Sequence, residues 1–128
     1  MIFVDTNVLM YAVGRAHPLR AEARAFFDEA LDGRIPLATS AEVLQELMHA
    51  YLPVGRLSTL DAALELADAF IPTVWPVEGD DVRLARSLVS RHPGLTARDL
   101  LHLASCTRRG VREARTFDRG LRSAFARL

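Results

Sequence analysis

The chain opens Met1-Ile2-Phe3-Val4-Asp5-Thr6-Asn7, and the reading of this stretch decides the fold. Ile2 to Val4 is a short, uninterrupted apolar run, the pattern of a strand buried on both faces of a parallel sheet. It delivers a carboxylate, Asp5, to its end, followed by the polar side chains of Thr6 and Asn7. From Pro18 to Asp32 the spacing becomes helical: Leu19, Ala23, Phe26, Ala30 and Leu31 form one stripe, Pro18 suits a first turn and Gly33 the position past the end. Ile35 to Ala38 reads as a second strand. Thr39 and Ser40 then offer caps for a helix with Val43, Leu44, Leu47, Met48 and Tyr51 on its apolar face, stopped by Pro53 and Gly55. A helix from Ser58 or Thr59 to Phe70, a proline-interrupted strand over Ile71 to Val77, and a helix from Asp80 to Arg91 follow, closed by Pro93 and Gly94. Thr96 caps a helix to Arg109, Gly110 stops it, Ala114 to Phe117 makes a short strand, and a last helix follows. Strands that alternate with helices in this way predict an α/β fold with a parallel sheet covered on both faces.

With 128 residues, half of them hydrophobic, the chain is sized for one domain, residues 1–128, burying about two thirds of the surface its unfolded form exposes. No apolar stretch approaches the roughly 20 residues of a membrane span. No basic-then-apolar leader precedes the first strand, so the expected location is the cytoplasm. Cys106, the single cysteine, falls in a helical pattern and reads as a packed thiol. Formal net charge is zero, and all 16 basic residues are arginine. Arg108, Arg109, Arg112, Arg115, Arg119, Arg122 and Arg127 crowd the last stretch against only Glu113 and Asp118. Such a basic end suits a nucleic-acid backbone, and equally a solvated terminal helix.

Four acids sit inside apolar patterns: Asp5, Glu46, Asp99 and Asp118. Asp5 and Asp118 follow strand-like segments and so fall at the carboxyl ends of strands, where open parallel sheets bind ligands. Glu46 lies on the helix after the second strand, and Asp99 in the first turn of the Thr96 helix. An ionised carboxylate rarely leaves water unless a cation or hydrogen-bond donors meet it. Two of them about 4 Å apart repel by roughly 4 kcal/mol at a surface-like dielectric. A shared cation is the simplest common explanation. An all-oxygen donor set, with no nearby cysteine or paired histidine, favours Mg²⁺ or Mn²⁺ over zinc, and such ions activate water against phosphodiesters. Each acid also has a purely structural reading. Asp5 fits an Asx turn, Asp99 a capping box with Thr96, and Asp118 a helix cap; Glu46 fits a solvent-facing or arginine-paired position, with Glu42 a rival one turn earlier.

Together these residues resemble the PIN-domain ribonucleases. The resemblance is carried by Asp5-Thr6-Asn7 after an N-terminal strand, by Ser40-Ala41-Glu42-Val43-Leu44-Gln45-Glu46-Leu47, by Ala97-Arg98-Asp99-Leu100-Leu101-His102-Leu103-Ala104, and by Thr116-Phe117-Asp118-Arg119-Gly120-Leu121. It spans nearly the whole chain, and the size is most similar to the VapC-type toxins of toxin–antitoxin pairs. The resemblance implies a three-layer α/β/α sandwich around a mainly parallel sheet of four to five strands. It also implies Mg²⁺- or Mn²⁺-dependent endoribonuclease activity, a homodimer, and a small antitoxin that blocks the site. It chooses Glu46 over Glu42, because the family's glutamate sits in a valine-leucine-x-glutamate-leucine setting. Asp5 and Asp99 are then the expected holders of the principal ion, with Glu46 and Asp118 completing the acidic cluster and orienting the attacking water. Thr116 is expected to position that water or a phosphate, and Asn7 to order the loop around Asp5. His102, one turn after Asp99, reads as a packed or hydrogen-bonded side chain outside the site.

Two other classes fit part of the pattern. One is a PIN-like module that binds RNA or protein without cutting, against which all four carboxylates speak. The other is a phosphatase using Asp5 as nucleophile; such enzymes typically need a second aspartate two residues on, where this chain has Asn7.

Overall fold

In the computed structural model, which describes residues 1–128, β1 (Ile2–Val4) leads straight into α1 (Thr6–Val13) and then α2 (Arg20–Asp32). β2 (Leu37–Ser40), α3 (Ala41–Tyr51) and α4 (Leu57–Phe70) follow, then β3 (Thr73–Trp75), α5 (Gly79–Ser87), α6 (Ala97–Arg108), β4 (Glu113–Arg115) and α7 (Arg119–Ala126). All pairings are parallel, in the order β3-β2-β1-β4. The chain steps from β1 to β2 to β3 in one direction and returns to place β4 on the far side of β1. Parallel crossovers are right-handed, so steps in opposite directions lay their helices on opposite faces. Accordingly α1 packs against α2, α3 and α4, while α5 packs against α6 and α6 against α7. The expected three-layer sandwich results, with four strands in its sheet.

Between β1 and β4 the connections part to opposite faces, which opens a crevice at the carboxyl ends of these two strands. Beneath it the core is dry: Phe3, Val4, Leu37, Val43, Leu47, Leu103 and Leu121 are almost wholly buried. Phe3 lies between Trp75 and His102, with ring centroids 6.0 and 5.3 Å away.

Several boundaries differ from the sequence reading, each for a local reason. α1 has no counterpart in that reading; its eight residues bury Val8, Leu9 and Ala12 and are started by the side chain of Asp5. The second strand sits two residues later than expected, because Pro36 has no N–H to pair and Ile35 stays exposed. The third is confined between Pro72 and Pro76. α5 ends at Ser87 rather than Arg91, and its tail tightens into turns leading to His92. Gly110 stops α6 as expected, at φ 71°.

The basic end of the chain is used largely inside the molecule. Arg108 Nη1 and Arg109 Nη1 donate to Asp81 Oδ1 at 2.7 and 2.9 Å, and Arg109 Nη2 also reaches Glu78 Oε1 at 2.9 Å. Arg109 lies over the Trp75 ring, Arg122 donates to the Thr116 carbonyl, and Arg127 meets His92. These contacts join α6 to α5 and tie down the C-terminal segment. Burial pushes the Asp81 carboxyl upward, but hydrogen bonds from Arg109, the Glu78 amide and Arg108 outweigh it, lowering the pKa from 3.8 to about 2. A depressed carboxylate contributes stability that is complete above its unfolded pKa and is lost as pH falls through the folded one. Asp81→Asn is expected to lower unfolding free energy at neutral pH by about 1–2 kcal/mol, the guanidinium groups being partly solvated. In urea titrations the difference from wild type should shrink between pH 4 and pH 2.

Candidate metal centre

The last rung of the β1–β4 ladder builds the site. Val4 pairs with Arg115, and the Asp5 amide donates to the Arg115 carbonyl at 3.0 Å. The next residues of the two strands, Asp5 and Thr116, are therefore side by side, and the Thr116 hydroxyl donates to Asp5 Oδ2 at 2.6 Å. Asp5 Oδ1 accepts the Thr6 amide at 2.7 Å as the cap of α1. Thr116 Oγ1 in turn accepts from the Asp118 amide at 3.0 Å and Asn7 Nδ2 at 3.3 Å. Asn7 Oδ1 receives the Phe117 amide at 3.1 Å. Asn7, at the start of α1, thus ties the segment after β4 to the end of β1.

The remaining acids arrive on helices. Glu46 stands in the second turn of α3, where Thr6 Oγ1 donates to its Oε2 and His102 Nε2 lies 3.2 Å from its Oε1. Asp99 does form the capping box with Thr96 at the start of α6, and Asp118 does cap α7 through the Leu121 amide at 2.8 Å. The structural readings of both residues hold, yet both also line one cleft of about 350 Å³ with Asp5 and Glu46. Glu42 lies instead in a neighbouring apolar groove with Val82 and Val89.

Within the cleft, Asp5, Glu46 and His102 form the tightest group: one ligand atom from each lies within 4.8 Å of the other two. Asp99 and Asp118 line the same space outside that set. The sequence reading anticipated an all-oxygen donor set, with no nearby cysteine or paired histidine, and left His102 out. The structure packs its ring against Phe3 at 2% exposure and points Nε2 at the two carboxylates, 3.7 Å from Asp5 Oδ1. The signal was present, since residues three apart on a helix share a face and His102 follows Asp99 by three. Thr6, the second donor to Glu46, gave no such signal beyond adjoining Asp5.

Charge is unevenly distributed over these groups. Burial holds the Asp5 carboxyl above its ordinary pKa, against the pull of His102 and the Thr116 and Thr6 hydrogen bonds. Burial also acts upward on Glu46, but the hydrogen bond and charge of His102, with Thr6 and Arg98, bring it below the usual value. Burial would lower His102; Glu46 and Asp5 together raise it instead. Two close-set carboxylates, with the His102 ring beside them and two more acids on the cleft wall, fit a divalent cation that takes oxygen ligands. Cys106 stays outside the site, its thiol buried and pushed well up, as a packed thiol should be.

Fold and site together define a class. Residues 2–125 match the PIN domain, and the chain belongs to that family. Among its relatives it is 62% identical over 125 residues to Ribonuclease VapC23 of Mycobacterium tuberculosis, covering 98% of both chains. It is 38% identical over 123 residues to Ribonuclease VapC13 of the same species, across 96% of this chain and 94% of that one. The fold is shared with the crystal structure of Mycobacterium tuberculosis VapC20, a sarcin-ricin loop cleaving toxin, at TM-score 0.72 and 21% identity over 97% of this chain and 95% of that one. It is shared too with a chain of a toxin-antitoxin complex from Klebsiella pneumoniae, at TM-score 0.63 and 21% identity over 92% and 87% of the two chains.

Thr116→Val tests the seam. The change keeps the shape but removes the donor to Asp5 and the acceptor for the Asp118 amide. It is expected to destabilise the fold by about 1–3 kcal/mol in denaturant unfolding, the penalty for stranding buried polar partners.

Proposed function

We propose that the protein is a divalent-metal-dependent endoribonuclease, the toxin of a toxin–antitoxin pair, hydrolysing RNA phosphodiester bonds in the cytoplasm. The observation that carries this reading is the convergence of Asp5, Glu46, Asp99 and Asp118 on one cleft at the β1–β4 crevice, in a chain most of whose length aligns with curated VapC ribonucleases. No helix is long and apolar enough to cross a membrane.

Asp5 and Asp99 are the proposed holders of the principal ion, Mg²⁺ or Mn²⁺, with Glu46 and Asp118 completing the acidic set directly or through water. A bound ion of this kind supplies an activated water and neutralises charge on the phosphate under attack. Thr116 fixes the Asp5 carboxylate, and Asn7 holds the segment after β4 against the start of α1. Glu46 keeps its carboxylate at the cleft through Thr6 and His102. Arg98 lines the cleft, exposed and without an ion pair, and is placed to meet an RNA phosphate. Arg108 and Arg109 are committed to Asp81 and Glu78, and Arg122 and Arg127 each make one hydrogen bond, which leaves Arg112 and Arg119 as the exposed basic residues of that end without a side-chain partner. A homodimer and a small antitoxin that blocks the cleft complete the proposal, in keeping with the toxin-antitoxin complex that shares this fold.

Purified protein freed of co-purifying inhibitor is expected to cleave a structured RNA pool with Mg²⁺ or Mn²⁺ and not with chelator. Asp5→Asn should lower cleavage by more than the about 100-fold that a 1 Å misplacement costs, while leaving the circular-dichroism spectrum unchanged. Cleavage that survives both the chelator and Asp5→Asn contradicts the assignment.

A further inference from the structure

Of the two histidines that line the cleft, His49 and His102, it is His102 that reaches the carboxylates, and its two nitrogens are in unlike surroundings. Nε2 faces Glu46 Oε1 at 3.2 Å and Asp5 Oδ1 at 3.7 Å. Nδ1 is buried and has no hydrogen-bond partner. A histidine that ligates a metal almost always donates its other ring N–H to a carbonyl, a carboxylate or water. No protein group meets Nδ1, whereas Nε2 faces two carboxylate oxygens, which as carboxylates can only accept. Neutral or charged, the ring therefore carries a proton on Nε2, which makes His102 a donor to Glu46 rather than a lone pair offered to a cation.

Glu46 is consequently gripped from two sides. The Thr6 hydroxyl donates to Oε2 and the His102 ring to Oε1, from α1 and α6 respectively. Glu46 comes from α3, on the opposite face of the sheet from α6, and is only half-buried, so its long side chain has rotamers leading out of the cleft. No arginine pairs with it. The rigid, 2%-exposed ring of His102, held against Phe3, is the fixed point of this arrangement.

We propose that His102 is a positioning residue of the metal centre: its Nε2–H holds Glu46 against the cleft, beside Asp5, and thereby presets the carboxylate geometry that receives the ion. This rests on the metal-dependent reading above, and the two are separable by experiment. Glutamine carries its amide near the place of Nε2, whereas asparagine carries it near Nδ1, so His102→Gln keeps the donor and His102→Asn moves it out of reach. His102→Leu removes it altogether.

The test measures Mn²⁺ dissociation constants by the electron paramagnetic resonance signal of free Mn²⁺, and kcat and KM on one RNA substrate, for wild type and the three variants. Misplacement of a supporting group typically costs about 10–100-fold in metal affinity or activity. His102→Leu and His102→Asn are expected to weaken Mn²⁺ binding and lower kcat within that range, with KM for RNA within about twofold, and His102→Gln to recover most of both. If His102→Leu does not fold, the glutamine–asparagine pair carries the comparison. Wild-type values in His102→Asn overturn the proposal. A His102→Gln variant that folds but binds Mn²⁺ as poorly as His102→Asn also overturns it, by showing that the ring nitrogen itself is a ligand. Wild-type protein that binds Mn²⁺ but cuts no RNA leaves the binding comparison to decide on His102, and counts against the nuclease reading alone.

Discussion

The parallel rung that joins the end of β1 to the end of β4 is the contact on which the rest of the structure depends. The Asp5 amide is paired with the Arg115 carbonyl, so the residue cannot leave the sheet edge, and its side chain cannot leave the crevice that opens there. At 6% exposure the carboxylate has lost most of its water. What replaces that water is specific: the Thr6 amide at the head of α1 and the Thr116 hydroxyl from the neighbouring strand. The order β3-β2-β1-β4 is therefore more than a topology. It brings residues 111 apart in sequence into hydrogen-bond contact and fixes where charge accumulates.

Helix ends extend the same logic. Asp5 caps α1, Asp99 completes the capping box of α6, and Asp118 caps α7, so three helix amino termini turn their partial positive charge toward one cleft. Each end steadies a carboxylate without neutralising it. The contrast with the far end of α6 is informative. There, Asp81 is as buried as any acid in the molecule, and two arginines meet it directly. In the cleft no arginine forms an ion pair with Asp5, Glu46, Asp99 or Asp118; only His102 stands among them. Acids that the fold keeps together without an arginine ion pair are suited to a cation.

Much of this was legible in the residues. The buried run Ile2 to Val4, the caps at Ser40 and Thr96 and the stop at Gly110 defined the alternation, because strand burial and helix capping are local effects. Asp5, Asp99 and Asp118 could be singled out because each interrupts an apolar pattern, whereas the choice of Glu46 over Glu42 came from the family resemblance. What stayed hidden depends on contacts across the fold. α1 is only eight residues long and begins inside the motif that ends β1, so periodicity had little to act on. The arginine-rich end read equally as a nucleic-acid surface or a solvated helix face, and its pairing with Asp81 becomes visible only when α5 packs on α6. His102 was set aside because a lone histidine in a helical pattern is usually packed. It is packed, and its inward nitrogen still reaches two carboxylates from other elements.

The central claim is that the fold gathers these acids to hold a divalent ion. Crystals soaked in Mn²⁺ and measured for anomalous scattering test it most directly. The account predicts an anomalous peak in the cleft within about 2.3 Å of an Asp5 carboxylate oxygen, with Glu46 still held by Thr6 and His102. A cleft that remains free of anomalous signal at millimolar Mn²⁺, or a peak bound only at outlying surface acids, would contradict it.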